Sequence, residues 1–90
     1  MFIRNFGDDR TYLCFEGGSA ELPFNVRGLA RTFMHVLDSQ GLAAVLLSYG
    51  ASVTLAQGAY DVRIAVGVSI CFRWADGDAH DVRIEDYHRG

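Results

Sequence analysis

Lysine is absent from this 90-residue chain, and proline occurs once, at Pro23. Every basic residue apart from the histidines is therefore an arginine. GC-rich genomes favour arginine codons over lysine codons, so the source is read as a high-GC bacterium or its phage. Cysteine is scarce. Cys14 and Cys71 stand alone, with no CxxC or Cys-His spacing, which excludes the disulfide framework of a small secreted domain and leaves room for one bridge at most. The N-terminus MFIRNFGDD has no apolar run of the kind a secretory signal needs. The longest apolar stretch, Leu42 to Ala56, is interrupted by Ser48, Gly50, Ser52 and Thr54, too short and too polar to span a bilayer. A cytoplasmic protein of a bacterium or phage-infected cell, without membrane contact, is the expectation.

Positive charge is also in short supply. Eight arginines face eleven carboxylates, for a net charge of −3. Residues 1–25 set Arg4 and Arg10 against Asp8, Asp9, Glu16 and Glu21. Residues 26–75 reverse the balance with four arginines against Asp38 and Asp61, and residues 76–90 set Arg83 and Arg89 against five carboxylates. Acidic ends around a mildly basic middle argue against direct nucleic-acid binding, which calls for a basic patch. The chain also lacks a P-loop, GxGxxG, HExxH and GxSxG. No enzyme is expected, and no cofactor or metal.

What is present is a globular composition, half hydrophobic, in one domain covering residues 1–90. FIRNF and RTYLCFE are aromatic and β-branched runs around Gly7-Asp8-Asp9, and they read as an N-terminal hairpin. A helix follows between Asn25 and Gly41. Val26, Leu29, Ala30, Phe33, Val36 and Leu37 form its apolar stripe, Asn25 suits its N-cap and Gly41 its end. Beyond Gly41 the segments AVLLSY and SVTLA read as strands joined by Gly50-Ala51, with Leu46 facing Leu55. A helix through Leu42, Val45, Leu46 and Tyr49 is the competing reading. Gln57-Gly58 makes the next hairpin turn, pairing Leu55 with Tyr60 and Val53 with Val62.

From Tyr60 to Trp74 eight apolar residues occupy successive even positions, the period of a half-buried antiparallel strand. Fifteen extended residues would reach about 50 Å, so a bend or bulge is expected near Gly67. A three-residue loop, Asp76-Gly77-Asp78, sets Phe72 beside Val82, Ile70 beside Ile84 and Arg73 beside Asp81. The run Asp-Val-Arg-Ile occurs twice, at 61–64 and 81–84. Two copies are too few for a solenoid, and each reads as strand grammar with Val and Ile inward. Tyr87 to Gly90 are expected to fray. The fold class is α+β: a mostly antiparallel sheet of five to six strands, an N-terminal hairpin then a C-terminal meander, with one amphipathic helix packed on one face.

Three surfaces are candidates for function. Asp76, Asp78, Asp81, Glu85 and Asp86 form an acidic C-terminal hairpin; Asp81 and Glu85 fall on one face about 13 Å apart with Arg83 between them. Such a surface can occupy an arginine-rich groove, or simply protect a sheet edge. Asp76, Asp78 and His80, with His88 nearby, could approach a metal, but the calcium-loop pattern fails for want of its glycine and its closing glutamate. Arg27, Arg31 and His35 line one helix face at i, i+4, i+8, able to hold an acidic partner or a phosphate or to stand as a solvated face. Ala65, Gly67, Ser69 and Cys71 form a strip of small residues that would admit a second subunit. The leading expectation is a non-catalytic protein-binding module, a small phage or mobile-element inhibitor of a bacterial defence nuclease complex. It would act through its acidic surface on a basic or nucleic-acid-binding complex, with the general character of anti-CRISPR proteins. The alternative is a homo-oligomeric structural or assembly subunit, a homodimer in its simplest form, with an apolar sheet interface.

Overall fold

In a computed structural model that describes residues 1–18 and 22–86, α1 (Asp9–Phe15), α2 (Phe24–Gln40) and α3 (Leu42–Tyr49) are followed by a 3₁₀ turn (Gly50–Ser52). The strands β1 (Val53–Ala56), β2 (Ala59–Ala65), β3 (Val68–Ala75) and β4 (Asp78–Asp86) follow, an antiparallel meander in the order β1-β2-β3-β4. The expected α+β class holds, but with four strands and three helices among the described residues instead of five or six strands and one helix. Tyr87 to Gly90, including His88 and Arg89, lie outside the described residues, as do Ser19 to Glu21.

The N-terminal hairpin is the first correction. Asp8 is not a turn residue but the N-cap of α1, its carboxylate accepting the Thr11 amide at 2.8 Å. Turns and N-caps call for the same short polar side chains, so Gly-Asp-Asp reads equally well as either. What tips the balance is burial: Thr11 and Cys14 are buried and Phe15 half-buried, a helical spacing that outweighs the β propensity of these residue types. The residues before α1 remain extended and run parallel to β4, bridging Ile3 to Ala79 and Phe6 to Val82. They seal that edge of the sheet. Arg4 N–H donates to Ala79 O and Ala79 N–H to Phe2 O, while Gly7 N–H donates to Val82 O and Val82 N–H to Asn5 O. Further along β4, Ile84 N–H donates to the Thr11 hydroxyl at 2.9 Å, and Ile84 O accepts from Arg10 Nη2 at 2.9 Å.

The α2 helix forms as its apolar stripe predicts, with Val26, Ala30, Phe33, Met34 and Leu37 buried. Pro23 occupies the N-cap position in place of Asn25, as proline's fixed φ suits a helix entrance. Gly41 ends α2 and starts α3, with φ 85° and a Phe2 ring carbon 3.3 Å from where a Cβ would lie. Both the left-handed backbone and the close ring call for glycine. The segment 42–49 is helix, the competing reading, so Leu46 is not a strand partner of Leu55. Val45 is fully buried and Tyr49 meets Phe33 edge-on at 5.0 Å; an eight-residue apolar run carries no period that separates the two conformations.

Strand registers follow the hydrophobic pattern closely. Val53 pairs with Val62, Leu55 with Tyr60, and Ile70 with both Val62 and Ile84. The long period-two run is two strands, because Val66-Gly67 is a hairpin turn with Gly67 at φ 74°, a sharper reversal than the expected bend. After β3 the loop is a two-residue turn, Asp76-Gly77, with positive φ at both positions. Those angles match the type I′ turn that suits the twist of hairpin strands. The extra residue appears instead as a bulge at Asp81 (φ 59°), where Arg73 pairs with His80 and the register then shifts by one. Asn5 Oδ1 accepts the Asp81 amide at 2.6 Å and holds that bulge. The inward faces of Val82 and Ile84 are kept by the bulge and not by a longer loop.

Helices cover one face of the sheet, with α1 against β4 and α2 against β2 and β4. A chain of rings, Tyr49–Phe33–Phe72–Tyr60, runs from α3 through the core to β2.

Candidate functional site

The bare face of the sheet carries a charge mosaic generated by the two Asp-Val-Arg-Ile copies. β2 and β4 flank β3, so Cys71 sits between Asp61 and Arg83, and Ser69 between Arg63 and Glu85. Opposite charges therefore face each other across the central strand. Cys71 is half-buried in this row, and its thiol pKa is pushed up to about 12 from 9.0. Burial is the main cause, followed by Asp61 and Glu85 and by a hydrogen bond to Asp61, with Arg83 opposing. Cys14 is buried beneath α1, and its thiol pKa is raised by burial against the pull of Arg27, Arg31 and Arg10. A nucleophilic cysteine needs the reverse environment. Both thiols are expected to resist iodoacetamide at pH 8 and to react within minutes once urea unfolds the chain. For Cys71 the thiolate fraction at that pH is about a thousandfold below that of a free thiol, which a thiol-titration time course resolves. The neutral thiol is favoured in the native state, so its contribution to stability is present below pH 9.0 and is lost as pH rises toward about 12.

The small-residue strip is not a flat surface. Ala65 and Gly67 lie at the β2–β3 turn, whereas Ser69 and Cys71 lie between charged side chains on the bare face. Ser69, Thr54, Asp61 and Arg63, with Ala51 and Ser52, line a shallow polar depression of about 540 Å³.

The acidic hairpin is partly offset by two arginines. Asp78 pairs with Arg4 at 2.7 Å, and Arg83 lies 3.6 Å from Asp81 and 3.3 Å from Glu85. Asp76 stands exposed in the turn, and Asp86 ends β4. His80 donates through Nε2 to Ala75 O at 3.2 Å. Among the described residues no three His, Cys, Asp or Glu side chains gather as metal ligands.

The basic row on α2 braces α1. Arg31 Nε and His35 Nε2 each donate to Phe15 O at 3.3 Å, and the His35 ring stacks on Phe15 at 4.5 Å. The last carbonyls of a helix lack intrahelical donors, and cationic or N–H groups there complement its dipole. Arg27 turns instead over the Phe24 ring at 5.5 Å. A groove of about 300 Å³ opens between Gly17-Gly18 and the first turn of α2.

A fourth surface went unread in the sequence. Residues 39–60 contain no charged side chain, twenty-two positions in a chain that is otherwise richly charged. They build α3, the 3₁₀ turn and β1, and β1 is the sheet edge opposite the one sealed by residues 2–7. The α3 sequence LAAVLLSY is apolar nearly all round, yet only Val45 is fully buried. A helix of that kind is at home between two covered faces, not at a surface. Leu47 is 88% exposed, Leu55 58% and Leu46 40%. Leu55 shares the helical side of the sheet, since its partner Tyr60 stacks on Phe72. Together the three leucines leave uncovered about two full leucine side chains, worth roughly 3–6 kcal/mol of burial.

No protein-family model matches the chain, and no curated protein matches it. Among the described residues no helix is long and apolar enough to cross a membrane.

Proposed function

We propose that the protein is a non-catalytic protein-binding module, an assembly subunit that contacts its partner through the charge-free edge formed by α3 and β1. The observation that carries this reading is the exposure of Leu46 and Leu47 on α3 and of Leu55 on the β1 edge, with no charge across residues 39–60. Contiguous apolar surface of this kind marks interaction sites in folded domains. A binding role without catalysis also suits the chemistry of the interior: both thiols are pushed toward the protonated form, and His35 and His80 are each committed to a backbone carbonyl.

The inhibitor reading, with a basic defence complex gripped by Asp76, Asp78, Asp81, Glu85 and Asp86, draws less support. Arg4 and Arg83 already pair with three of these carboxylates, so part of the charge that would pull on a basic partner is offset within the chain.

A photoreactive side chain placed at position 47, 55, 76 or 81 of the full chain in cells separates the two readings. Adducts are expected from 47 and 55, surviving a wash at about 1 M salt, where screening extends to roughly 3 Å. Adducts from 76 or 81 alone, or from no position, would overturn the apolar-edge reading.

A further inference from the structure

We infer that the partner at this edge is a second copy of the chain, joined by antiparallel pairing of β1 with its own counterpart around Leu55. This rests on the proposed use of the α3–β1 edge and names its occupant. Ala56 and Ala59 flank the Gln57-Gly58 turn, where positive φ at both turn residues marks a two-residue hairpin. In such a hairpin the flanking pair is hydrogen-bonded and the pairs alternate from there. Thr54 therefore turns its backbone groups toward Asp61, and Leu55 turns its N–H and C=O away from β2. A two-fold axis at Leu55 lets the two copies exchange both bonds. It also places both Leu55 side chains on the helical face.

The two edges of the sheet are treated differently, and the contrast singles out β1. Along β4 the backbone groups of Ala79, Val82 and Ile84 are met by residues 2–11. Sheet edges left open in monomers are normally defended by a charge, a proline, a bulge or a very short strand, and β1 relies on its four-residue length alone. It reads Val-Thr-Leu-Ala, is paired without a register shift and carries no charge or proline, which leaves the Leu55 backbone groups open.

Charge complementarity selects a second copy over a foreign partner. A residue on a two-fold axis meets its own copy, so a charge at or beside position 55 would repel itself. Residues 39–60 present none, and so offer no counter-charge to a charged partner either. The apolar patch is on the order of 300–400 Å². Together with the strand edge this falls below the roughly 800 Å² per partner of a standard interface, so the dimer is a weak one, with a dissociation constant in the micromolar range.

Sedimentation of the purified full chain between about 1 and 300 μM tests this directly. A reversible dimer is expected, little changed between 0.15 and about 1 M salt. Leu55→Lys should weaken it a hundredfold or more while leaving the urea midpoint in place, because residue 55 is already exposed in the monomer. Geometry is read by mild oxidation. A hydrogen-bonded antiparallel pair sets its Cα atoms about 5.5 Å apart, within disulfide reach, so Leu55→Cys should give a covalent dimer. Thr54→Cys should not, since its Cα lies about 8 Å from its counterpart in this register. A chain that stays monomeric throughout, or that crosslinks through position 54 and not 55, overturns the inference. Monomeric protein with adducts to other proteins at 47 and 55 would remove the second copy and leave the proposed function standing. A monomer with no adducts at those positions would remove both.

Discussion

Phe33→Ala is expected to destabilise the fold by about 3–5 kcal/mol, read as a drop in the urea midpoint. A 90-residue domain holds roughly 5–13 kcal/mol in total, so the variant should be partly unfolded at 37 °C. Phe33 is completely buried and joins three elements: it projects from α2, meets Tyr49 of α3 edge-on at 5.0 Å, and lies 6.3 Å from Phe72 of β3. Phe72 in turn stacks on Tyr60 at 5.4 Å. Removing the ring leaves a cavity at the only place where α3 is tied to the sheet by aromatic contact among the described residues, and the walls belong to elements that cannot close on it independently. Phe33→Leu keeps most of the volume and should cost about 1–1.5 kcal/mol. If Phe33→Ala costs less than Phe33→Leu is expected to, the packing of α3 on α2 and β3 is not as described.

Thr11→Val is expected to cost about 1–3 kcal/mol although it preserves shape. The Thr11 hydroxyl is buried and accepts the Ile84 amide at 2.9 Å. Valine fills the same volume but offers no acceptor, which leaves a buried N–H without a partner on β4. Thr11→Ser keeps the oxygen and loses one methyl group, worth roughly 0.8 kcal/mol. The order is the test: Val should be worse than Ser by denaturation, and the Ile84 amide should exchange faster in Val alone. Equal losses in the two variants would mean that packing, not the hydrogen bond, fixes α1 to the sheet edge.

Both effects arise where local sequence signals were weakest. Residues 10–16 and 44–49 were read as strand, and helices occupy Asp9–Phe15 and Leu42–Tyr49 instead. In the first, Asp8 is a cap or a turn residue depending on what the following side chains bury, and only contact with β4 decides that Thr11, Cys14 and Phe15 bury together. In the second, seven of eight residues are apolar, and uniform hydrophobicity has no phase. A trace of the correct answer was present in both: 11, 14, 15 and 42, 45, 49 are helical spacings. The interaction edge was legible too, through the absence of charge from 39 to 60, a feature that a search for charged clusters passes over. Clusters of charge drew attention instead to Asp76–Asp86 and to Arg27, Arg31 and His35. The structure engages most of these internally, in ion pairs and in the closure of α1.

By itself the sequence determined the α+β class, the amphipathic α2 and part of the meander's register, Val53 with Val62, Leu55 with Tyr60 and Ile70 with Ile84. Each of these depends on a repeating contrast between apolar and polar side chains, period 3.6 in one case and two in the other, and such contrast survives in a one-dimensional string. Tertiary structure alone decided which edge of the sheet is sealed and which is open. That outcome depends on residues 2–11 finding the N–H and C=O groups of β4 more than seventy positions away. Backbone groups are the same at every residue, so no side-chain pattern announces their pairing. The open β1 edge, where the proposed function lies, is defined only by what the N-terminal segment does not reach.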